Sequence, residues 1–319
     1  MTGENRGSFW EELAPLRKRD AIPLTRLFAC ARLVPVDPRK VANRPGVGQM
    51  PKAKVNGISI YYKVHGQGEP LVLITGMGAD HRSWFRQVSD FQRYYQVITF
   101  DSRGIGKTDR PTELYSFKTL ADDVIGLMDH LALDKAHLLG LSLGGIVAQE
   151  MAIDHPDRVR KLVLVNTSTG RSGEMDKVHP ALMEAYGLED GSTEIDISRV
   201  NIGKSMSAYI SLSFNKVLYR MVMLLMARLY VKPSGFEGMA EQLKAISTHS
   251  TLDRLHLIKA ATLVIAGTDD KIVPPRFSEV LASRIPNATL VSVEDGSHAL
   301  HVEMKSRFNR EVLDFLRDA

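Results

Sequence analysis

Three side chains of this sequence offer the chemistry of a nucleophile, a supporting acid and a base, in the chain order Ser142, Asp270, His298. A serine hydroxyl is a weak nucleophile at neutral pH unless a histidine takes its proton and a carboxylate fixes the tautomer of that histidine. Ser142 lies in the pattern Gly-Leu-Ser-Leu-Gly, after a short apolar run and before residues with helical spacing. A strand, this pattern and a helix in that order predict a nucleophile elbow, in which flanking glycines avoid contact with the neighbouring helix or strand.

The acid and the base each have an alternative nearby. Asp269 and Asp270 both follow an apolar run that ends at Gly267. Asp269 is typical of a turn residue that bonds its own backbone, which favours Asp270 as the acid. His298 follows the last apolar run and begins the final helical pattern, so it falls at the rim of a sheet. His301 lies inside that helical pattern and is the alternative base.

Two backbone N–H groups are needed to stabilise the oxyanion that forms when a serine attacks a carbonyl. The residue after the nucleophile, Leu143, is predicted to supply one. Met77 is predicted to supply the other, because glycines on both sides let this backbone approach a ligand. Gly76 is the alternative donor and a predicted substrate contact.

Nucleotide and metal sites are not indicated. The segment Gly104–Thr108 ends like a phosphate-binding loop, but the required first glycine would fall at Asp101. Gly76–Gly78 starts like a dinucleotide-binding motif, but His81 stands where the third glycine belongs. Cysteine and histidine show no zinc spacing, so we expect neither a metal nor an organic cofactor. Cys30 is the single cysteine, which indicates a reducing compartment.

Charge and hydropathy exclude several classes of partner. The formal net charge is +4, but residues 1–54 carry +6 and the remainder carries −2, so the body has no basic face for nucleic acid. The longest internal apolar run, Met221–Ala227, is much shorter than the roughly twenty residues of a membrane span. We therefore expect a soluble, cytoplasmic protein that acts on a small molecule. The sequence leaves open whether it forms a homo-oligomer.

The elements around these residues alternate between strands and helices. Asn56-Gly57 between alternating apolar residues predicts a hairpin. Unalternated apolar runs separated by helical patterns predict a mostly parallel sheet covered by helices on both faces, that is, an α/β fold. The predicted strands are Leu71–Ile74, Gln96–Phe100, Ala136–Leu141, Lys161–Val165, Thr262–Ala266 and Thr289–Val293. The predicted helices are Ser83–Phe91, Phe117–Leu131, Leu143–His155, Pro275–Ile285 and Ala299–Leu316.

This alternation stops over about ninety residues, which is too long for a simple loop. Residues 169–259 are predicted to form a helical cap inserted into a core of residues 51–168 and 260–319. Residues 1–50 are predicted to be a basic extension. Methionines are frequent in the insertion, and most are expected to form a small core. On the predicted helix Met221–Tyr230, we expect Met221 and Met226 to line an apolar pocket above Ser142.

Together these segments resemble the α/β-hydrolase fold family, over roughly Lys52 to Leu316. The matching segments are Gly140–Gly144, Asp101–Thr108, Gly267–Pro274, and His298 with Glu303 five residues later. The three-residue offset from Gly267 to Asp270 matches the family's acid turn. The resemblance implies that Arg103 forms a structural ion pair. One departure is that Thr75 stands where the family usually has a histidine.

Within that family, the sequence around Ser142 and Asp101 is most similar to those of 3-oxoadipate enol-lactonases and small carboxylesterases. The resemblance implies a serine hydrolase that cleaves a carboxylic ester or lactone through an acyl-enzyme. Serine at the elbow argues against dehalogenases and epoxide hydrolases, which have aspartate there. Acyltransferases, carbon–carbon bond hydrolases, perhydrolases and a receptor-like binding protein stay open, because many chemistries share this fold.

Overall fold

The apolar runs form one sheet in the computed structural model, which describes residues 51–110, 114–170, 202–230 and 236–318. The predicted extension of residues 1–50 lies outside the described residues. The strands are β1 (Lys52–Val55), β2 (Ile58–His65), β3 (Glu69–Ile74), β4 (Tyr95–Phe100), β5 (Ala136–Leu141), β6 (Val159–Val165), β7 (Ala261–Gly267) and β8 (Ala288–Val293). Their order across the sheet is β1-β2-β4-β3-β5-β6-β7-β8. The pairs β1–β2 and β2–β4 are antiparallel and the others parallel, which confirms the predicted hairpin and mostly parallel sheet.

Helices cover both faces of this sheet. They are α1 (Phe85–Phe91), α2 (Phe117–His130), α3 (Leu143–Asp154), α4 (Ile202–Ser213), α5 (Val217–Tyr230), α6 (Phe236–Thr248), α7 (Arg276–Arg284), α8 (Leu300–Glu303) and α9 (Lys305–Arg317). Each helix that the structure describes is too short or too polar to cross a bilayer.

Alternate residues of one strand enter different cores, because successive strand side chains point to opposite faces. In β3, Val72 and Ile74 pack in the core that includes α2 and α3. Leu71 and Leu73 pack in the core that includes α1 and α9. All four side chains are essentially buried. This two-sided burial explains why the strand has no polar alternation. The carboxyl ends of the parallel strands lie on one edge because these strands run in the same direction.

The segment between β6 and β7 contains α4, α5 and α6. Residues 171–201 and 231–235 of the predicted insertion lie outside the described residues. Ile210 of α4 and Phe214, the residue after α4, pack against Ala299 and Val302, which follow β8. The segment between β6 and β7 therefore contacts the segment that carries His298.

The C-terminal helix is not continuous, so the prediction of one helix over Ala299–Leu316 is wrong. It breaks at Met304, which has φ −121° and ψ 38°. The carbonyl of Glu303 accepts a hydrogen bond from Lys216 Nζ at 3.0 Å. The Glu303 carboxylate is also bonded to residues outside the helix. The bond from Lys216 to the Glu303 carbonyl competes with helical hydrogen bonding at this position, and sequence periodicity does not reveal it.

The glycines around Ser142 allow α3 to approach the sheet closely. A Cβ atom on Gly140 would lie 2.4 Å from the Gly144 carbonyl oxygen, and one on Gly144 would lie 2.3 Å from the Ile74 carbonyl oxygen. A Cβ on Gly145 would lie 2.5 Å from Thr167 Oγ1. The expectation that side chains here would strike the neighbouring helix or strand is confirmed.

We expect Gly144→Ala to lower the free energy of unfolding by about 3 kcal/mol or more, because its new methyl group meets backbone that must move. Gly57→Ala is the matched control. Gly57 has φ +79° but nothing within 4 Å of its Cβ position, so we expect only the backbone strain of about 1–2 kcal/mol. Urea unfolding of both variants measures the difference. Equal losses would contradict the close approach of α3.

Candidate active site

Ser142 joins β5 to α3 in a strained backbone conformation. Its φ is 53° and its ψ is −123°, a region that residues other than glycine avoid for steric reasons. The Ser142 N–H donates to the Val165 carbonyl at 2.9 Å, and the Ser142 carbonyl accepts from Gly145 N–H at 2.8 Å. The same carbonyl accepts from the Thr167 hydroxyl at 2.6 Å. These three bonds hold the strained residue at the carboxyl end of the parallel strands.

His298 and Asp270 meet at this edge as a buried pair. His298 Nδ1 lies 2.7 Å from Asp270 Oδ2, and the two residues are 3% and 4% exposed. The other carboxylate oxygen of Asp270 accepts from the N–H groups of Ile272 at 2.8 Å and Val273 at 2.9 Å. Because both oxygens accept hydrogen bonds, Asp270 is held in one orientation and faces the imidazole as an acceptor.

The hydrogen bond to Asp270 also selects the tautomer of His298. A carboxylate acceptor requires the proton on Nδ1, which leaves a lone pair on Nε2. His298 Nε2 is buried and has no hydrogen-bond partner among the described residues. A buried base atom with a free lone pair is the group that a serine nucleophile needs.

Asn166 connects the ends of three chain segments, and sequence reasoning missed it. It follows β6 with φ 43°. Its side-chain NH₂ donates to the carbonyls of Ser297 at 2.9 Å and His298 at 3.0 Å. Its side-chain oxygen accepts from Gly267 N–H at 2.8 Å. Asn166 therefore fixes the histidine segment relative to the acid turn. An asparagine directly after a strand, where positive φ is tolerated, was the available signal.

The two alternative residues lie elsewhere. The Asp269 side chain is 49% exposed and 3.8 Å from Lys271 Nζ. His301 is buried beside Trp84, with ring centroids 5.5 Å apart. Burial, with a smaller contribution from nearby His298, lowers the pKa of His301 to about 3. A base that stays neutral to such low pH is a poor proton acceptor, so the geometry favours Asp270 and His298.

The two predicted amide donors flank Ser142. Leu143 is the first residue of α3, so its N–H has no acceptor within the helix. A Cβ on Gly76 would lie 3.4 Å from Ser142 Cβ and 4.0 Å from Ser142 Oγ. The loop Gly76-Met77 therefore passes directly beside the nucleophile. Within this turn Ala79 N–H donates to the Gly76 carbonyl at 3.2 Å, a bond that does not use the Met77 N–H.

The methionines of the insertion do not follow the predicted arrangement uniformly. Met221 is 42% exposed on α5, in a row of exposed apolar side chains. Met226 lies on the same helix, and its side chain is outside what the structure describes. Met239 of α6 is 6% exposed, and its sulfur would lie 3.1 Å from a Cβ on Gly78. Helical spacing alone did not reveal which methionine reaches the loop beside Ser142.

Tyr209 of α4 is a second site residue that sequence reasoning missed. Its ring meets the His298 imidazole edge to face, with centroids 6.0 Å apart and an interplanar angle of 82°. Burial, with a smaller effect of the Asp270 charge, raises the pKa of Tyr209 to about 12. The phenol is therefore neutral at physiological pH, and the inserted helix presents it to the base. No motif surrounds Tyr209, so only the tertiary contact identifies it.

Glu303 ties the histidine segment to the start of α5. Its buried carboxylate accepts from the Lys216 N–H at 2.7 Å and the Asn215 N–H at 3.3 Å. It also accepts from the hydroxyl of Ser297, the residue before His298. The inserted helices and the predicted base are therefore held by one carboxylate.

Charged residues in the loops after β3 and β4 bond to one another or to nearby helices and are structural. Arg103 forms two hydrogen bonds of 2.7 Å with the Asp123 carboxylate, and both side chains are buried. Asp80, His81 and Asp101 place ligand-type atoms within 4.8 Å of one another. However, Asp101 already accepts from the His81 N–H at 2.8 Å and lies 2.6 Å from His81 Nδ1, and Asp80 binds the Arg82 side chain. These carboxylates are used to hold the loop.

The sequence matches the family described as alpha/beta hydrolase fold over residues 69–304. The chain belongs to the α/β-hydrolase fold family. The family resemblance inferred from the motifs is therefore confirmed, as is the fold class. The eight-stranded sheet, with its parallel pairing from β4 onward, is the framework of that family in this protein.

Several known proteins are similar to this chain over nearly their whole length. A putative carbamate hydrolase RutD from Caulobacter segnis is 31% identical over 279 residues, which cover 85% of this chain and 100% of that protein. The crystal structure of the enol-lactonase from Burkholderia xenovorans LB400 has a TM-score of 0.72 and 29% identity, covering 84% of this chain and 100% of that one. A meta-cleavage product hydrolase from Pseudomonas fluorescens IP01 has a TM-score of 0.71 and 26% identity, covering 83% and 97%.

The buried His301 predicts how stability depends on pH. Its folded-state pKa of about 3 lies below the usual histidine value of 6.5, so the unfolded chain binds a proton that the folded protein excludes. Stability is therefore lost as the pH falls below 6.5. Between pH 7.5 and 5 this residue alone accounts for about 2 kcal/mol.

We expect His301→Gln to remove that part of the pH dependence in urea unfolding at the two pH values. His65 and His137, whose pKa values burial also lowers, keep their share in the variant. His256→Gln is the matched control, because it makes the same substitution at an exposed position. The same slope in His301→Gln and in the unsubstituted protein would contradict the assignment.

Proposed function

We propose that the protein is a serine hydrolase that cleaves a carboxylic ester or lactone through an acyl-enzyme. The observation that carries this proposal is the His298–Asp270 pair of 2.7 Å, whose free Nε2 is buried at the same sheet edge as Ser142. Family membership adds support, because this fold carries its nucleophile on the strained turn after a central strand.

In the first half of the proposed reaction, His298 Nε2 takes the proton of the Ser142 hydroxyl as Oγ bonds to the substrate carbonyl carbon. The carbonyl π electrons move to oxygen, and this oxyanion accepts from the N–H groups of Leu143 and Met77. The negative charge of Asp270 stabilises the imidazolium. The carbon–oxygen bond to the leaving group then breaks, and His298 gives its proton to that oxygen.

In the second half, water attacks the acyl carbon while His298 Nε2 takes a proton from it. The same two amides stabilise the second oxyanion. The bond to Ser142 Oγ then breaks, His298 returns the proton to Oγ, and the carboxylic acid leaves. Each step uses residues of this chain and one water, so the proposal requires neither a metal nor an organic cofactor.

The proposal that the cleaved bond is an ester or lactone bond is based on the similar proteins. An enol-lactonase at 29% identity supports a lactone or ester substrate. A carbamate is a second candidate, because relatives named putative carbamate hydrolase reach 31% identity. Both have a carbonyl carbon that Ser142 attacks in the same way, and they differ in the group left on Ser142, which is an acyl group from an ester and a carbamoyl group from a carbamate. Initial rates on a matched pair of one ester and one carbamate with the same alcohol leaving group would rank them.

Two other functions give different results in simple assays. An acyltransferase on this fold would pass the acyl group to an added alcohol or thiol in preference to water. A receptor-like binding protein would bind its ligand tightly and turn it over on the scale of hours. The proposed hydrolase instead releases the free acid rapidly.

We expect Ser142→Ala to lower kcat for p-nitrophenyl acetate by on the order of a thousandfold or more, because no other group replaces the attacking oxygen. Ser283→Ala is the matched control, because this exposed serine of α7 donates its hydroxyl hydrogen bond to the Val280 carbonyl of its own helix. The rate of hydrolysis is measured from the absorbance of the released p-nitrophenol. If Ser142→Ala keeps nearly full turnover while the control is unaffected, the proposed nucleophile is wrong.

A further inference from the structure

Helix α6 forms a hydrogen bond with the turn that carries the second proposed oxyanion donor. Gln242 Oε1 accepts from the Gly78 N–H at 2.9 Å. Gln242 is only 1% exposed, and a buried amide costs free energy unless its polar atoms are bonded. The turn and the helix are 164 residues apart in the chain, so this bond joins the inserted helices to the core beside Ser142.

The turn Gly76–Ala79 has two peptide planes that must be oriented. Ala79 N–H donates to the Gly76 carbonyl at 3.2 Å. That carbonyl shares a planar peptide with the Met77 N–H, and the two point in opposite directions. The next plane contains the Gly78 N–H. Gly78 has φ +67°, as a type II turn requires at this position. The bond to Gln242 holds this second plane from outside the turn.

Gln242 is held by a helix that is attached to the core at both ends. The Tyr115 hydroxyl donates to the Gly238 carbonyl at 3.1 Å near the start of α6. Beyond its end, Thr251 N–H donates to the Thr169 carbonyl at 2.8 Å, and the Thr251 hydroxyl donates to Gln149 Oε1 at 2.6 Å. The amide oxygen of Gln242 is therefore a fixed acceptor.

Apolar packing supports the same contact. Met239 lies one helical turn before Gln242, and a Cβ on Gly78 would lie 3.1 Å from its sulfur and 3.4 Å from its Cγ. Gly78 is thus enclosed by a side chain on one side and bonded by an amide on the other. Rotation of the Met77–Gly78 peptide would break the hydrogen bond and disturb this packing.

We propose that Gln242 is a positioning residue, whose amide oxygen holds the Met77–Gly78 peptide so that the Met77 N–H stays directed at the oxyanion beside Ser142. This inference rests on the proposed function and extends it to the inserted helices. In this arrangement the core supplies the nucleophile and base, and α6 completes the oxyanion site. Gln242 does not touch the reacting atoms, and it acts through the turn.

The test replaces the acceptor while keeping side-chain size. We expect Gln242→Leu to lower kcat for p-nitrophenyl acetate by on the order of tenfold to a hundredfold, since a displaced donor weakens transition-state stabilisation. KM should change by less than about threefold, because the ground-state carbonyl uses this donor weakly. The inhibition constant of a trifluoromethyl ketone, which forms an oxyanion on Ser142, should rise by the same factor as kcat falls.

Leu243→Ala is the matched control, because Leu243 is a buried neighbour on α6 with an apolar side chain that cannot bond the turn. We expect it to lower the melting temperature and to leave kcat within about threefold. If Gln242→Leu does not fold, Gln242→Met removes the same oxygen and gives the same comparison.

An unchanged kcat in Gln242→Leu would overturn the inference, and so would an equal fall of kcat in Leu243→Ala. A fall in kcat without the matching change for the trifluoromethyl ketone would also overturn it. If the unsubstituted protein shows neither esterase turnover nor labelling of Ser142 by a fluorophosphonate, the proposed function fails and this inference fails with it. That result is distinct from an active enzyme that does not depend on Gln242.

Discussion

The backbone of Ser142 is the constraint on which the site depends. A positive φ at a serine costs about 1–3 kcal/mol, and it persists here because three hydrogen bonds and the close approach of α3 leave no alternative. Each of these bonds contributes roughly 0.5–1.5 kcal/mol, so together they offset the strain. The result is that the side chain leaves the strand end at a fixed angle. Glycines at 140, 144 and 145 are the sequence requirement for this packing.

The remaining groups are brought to Ser142 by hydrogen bonds between strand ends. Asn166 bonds the histidine segment and the acid turn, and Glu303 bonds the histidine segment and the start of α5. Buried polar groups of this kind have one satisfied arrangement and a high cost for others. The site is therefore built as a network, in which the core and the inserted helices hold one another.

Much of this arrangement follows from the sequence, for physical reasons that act locally. Asn56-Gly57 specifies the hairpin, and unalternated apolar runs specify buried parallel strands. Spacing after the strands places Asp270 and His298 at one edge. Asn166, Tyr209 and Gln242 escaped prediction because their roles come from contacts with residues more than eighty positions away. Met221 and Met226 were predicted to line the pocket, whereas the contact of Met239 with Gly78 was not predicted, because helical spacing does not show which apolar face meets the core. The break at Met304 depends on a lysine from the insertion.

Activation of Ser142 by His298 can be measured directly by covalent labelling. The protein is incubated with a fluorescent fluorophosphonate, and the modified residue is located by peptide mass spectrometry. We predict labelling at Ser142 that His298→Ala abolishes, because the hydroxyl then has no base. Labelling at another residue, labelling that survives His298→Ala, or folded protein that is not labelled would contradict it.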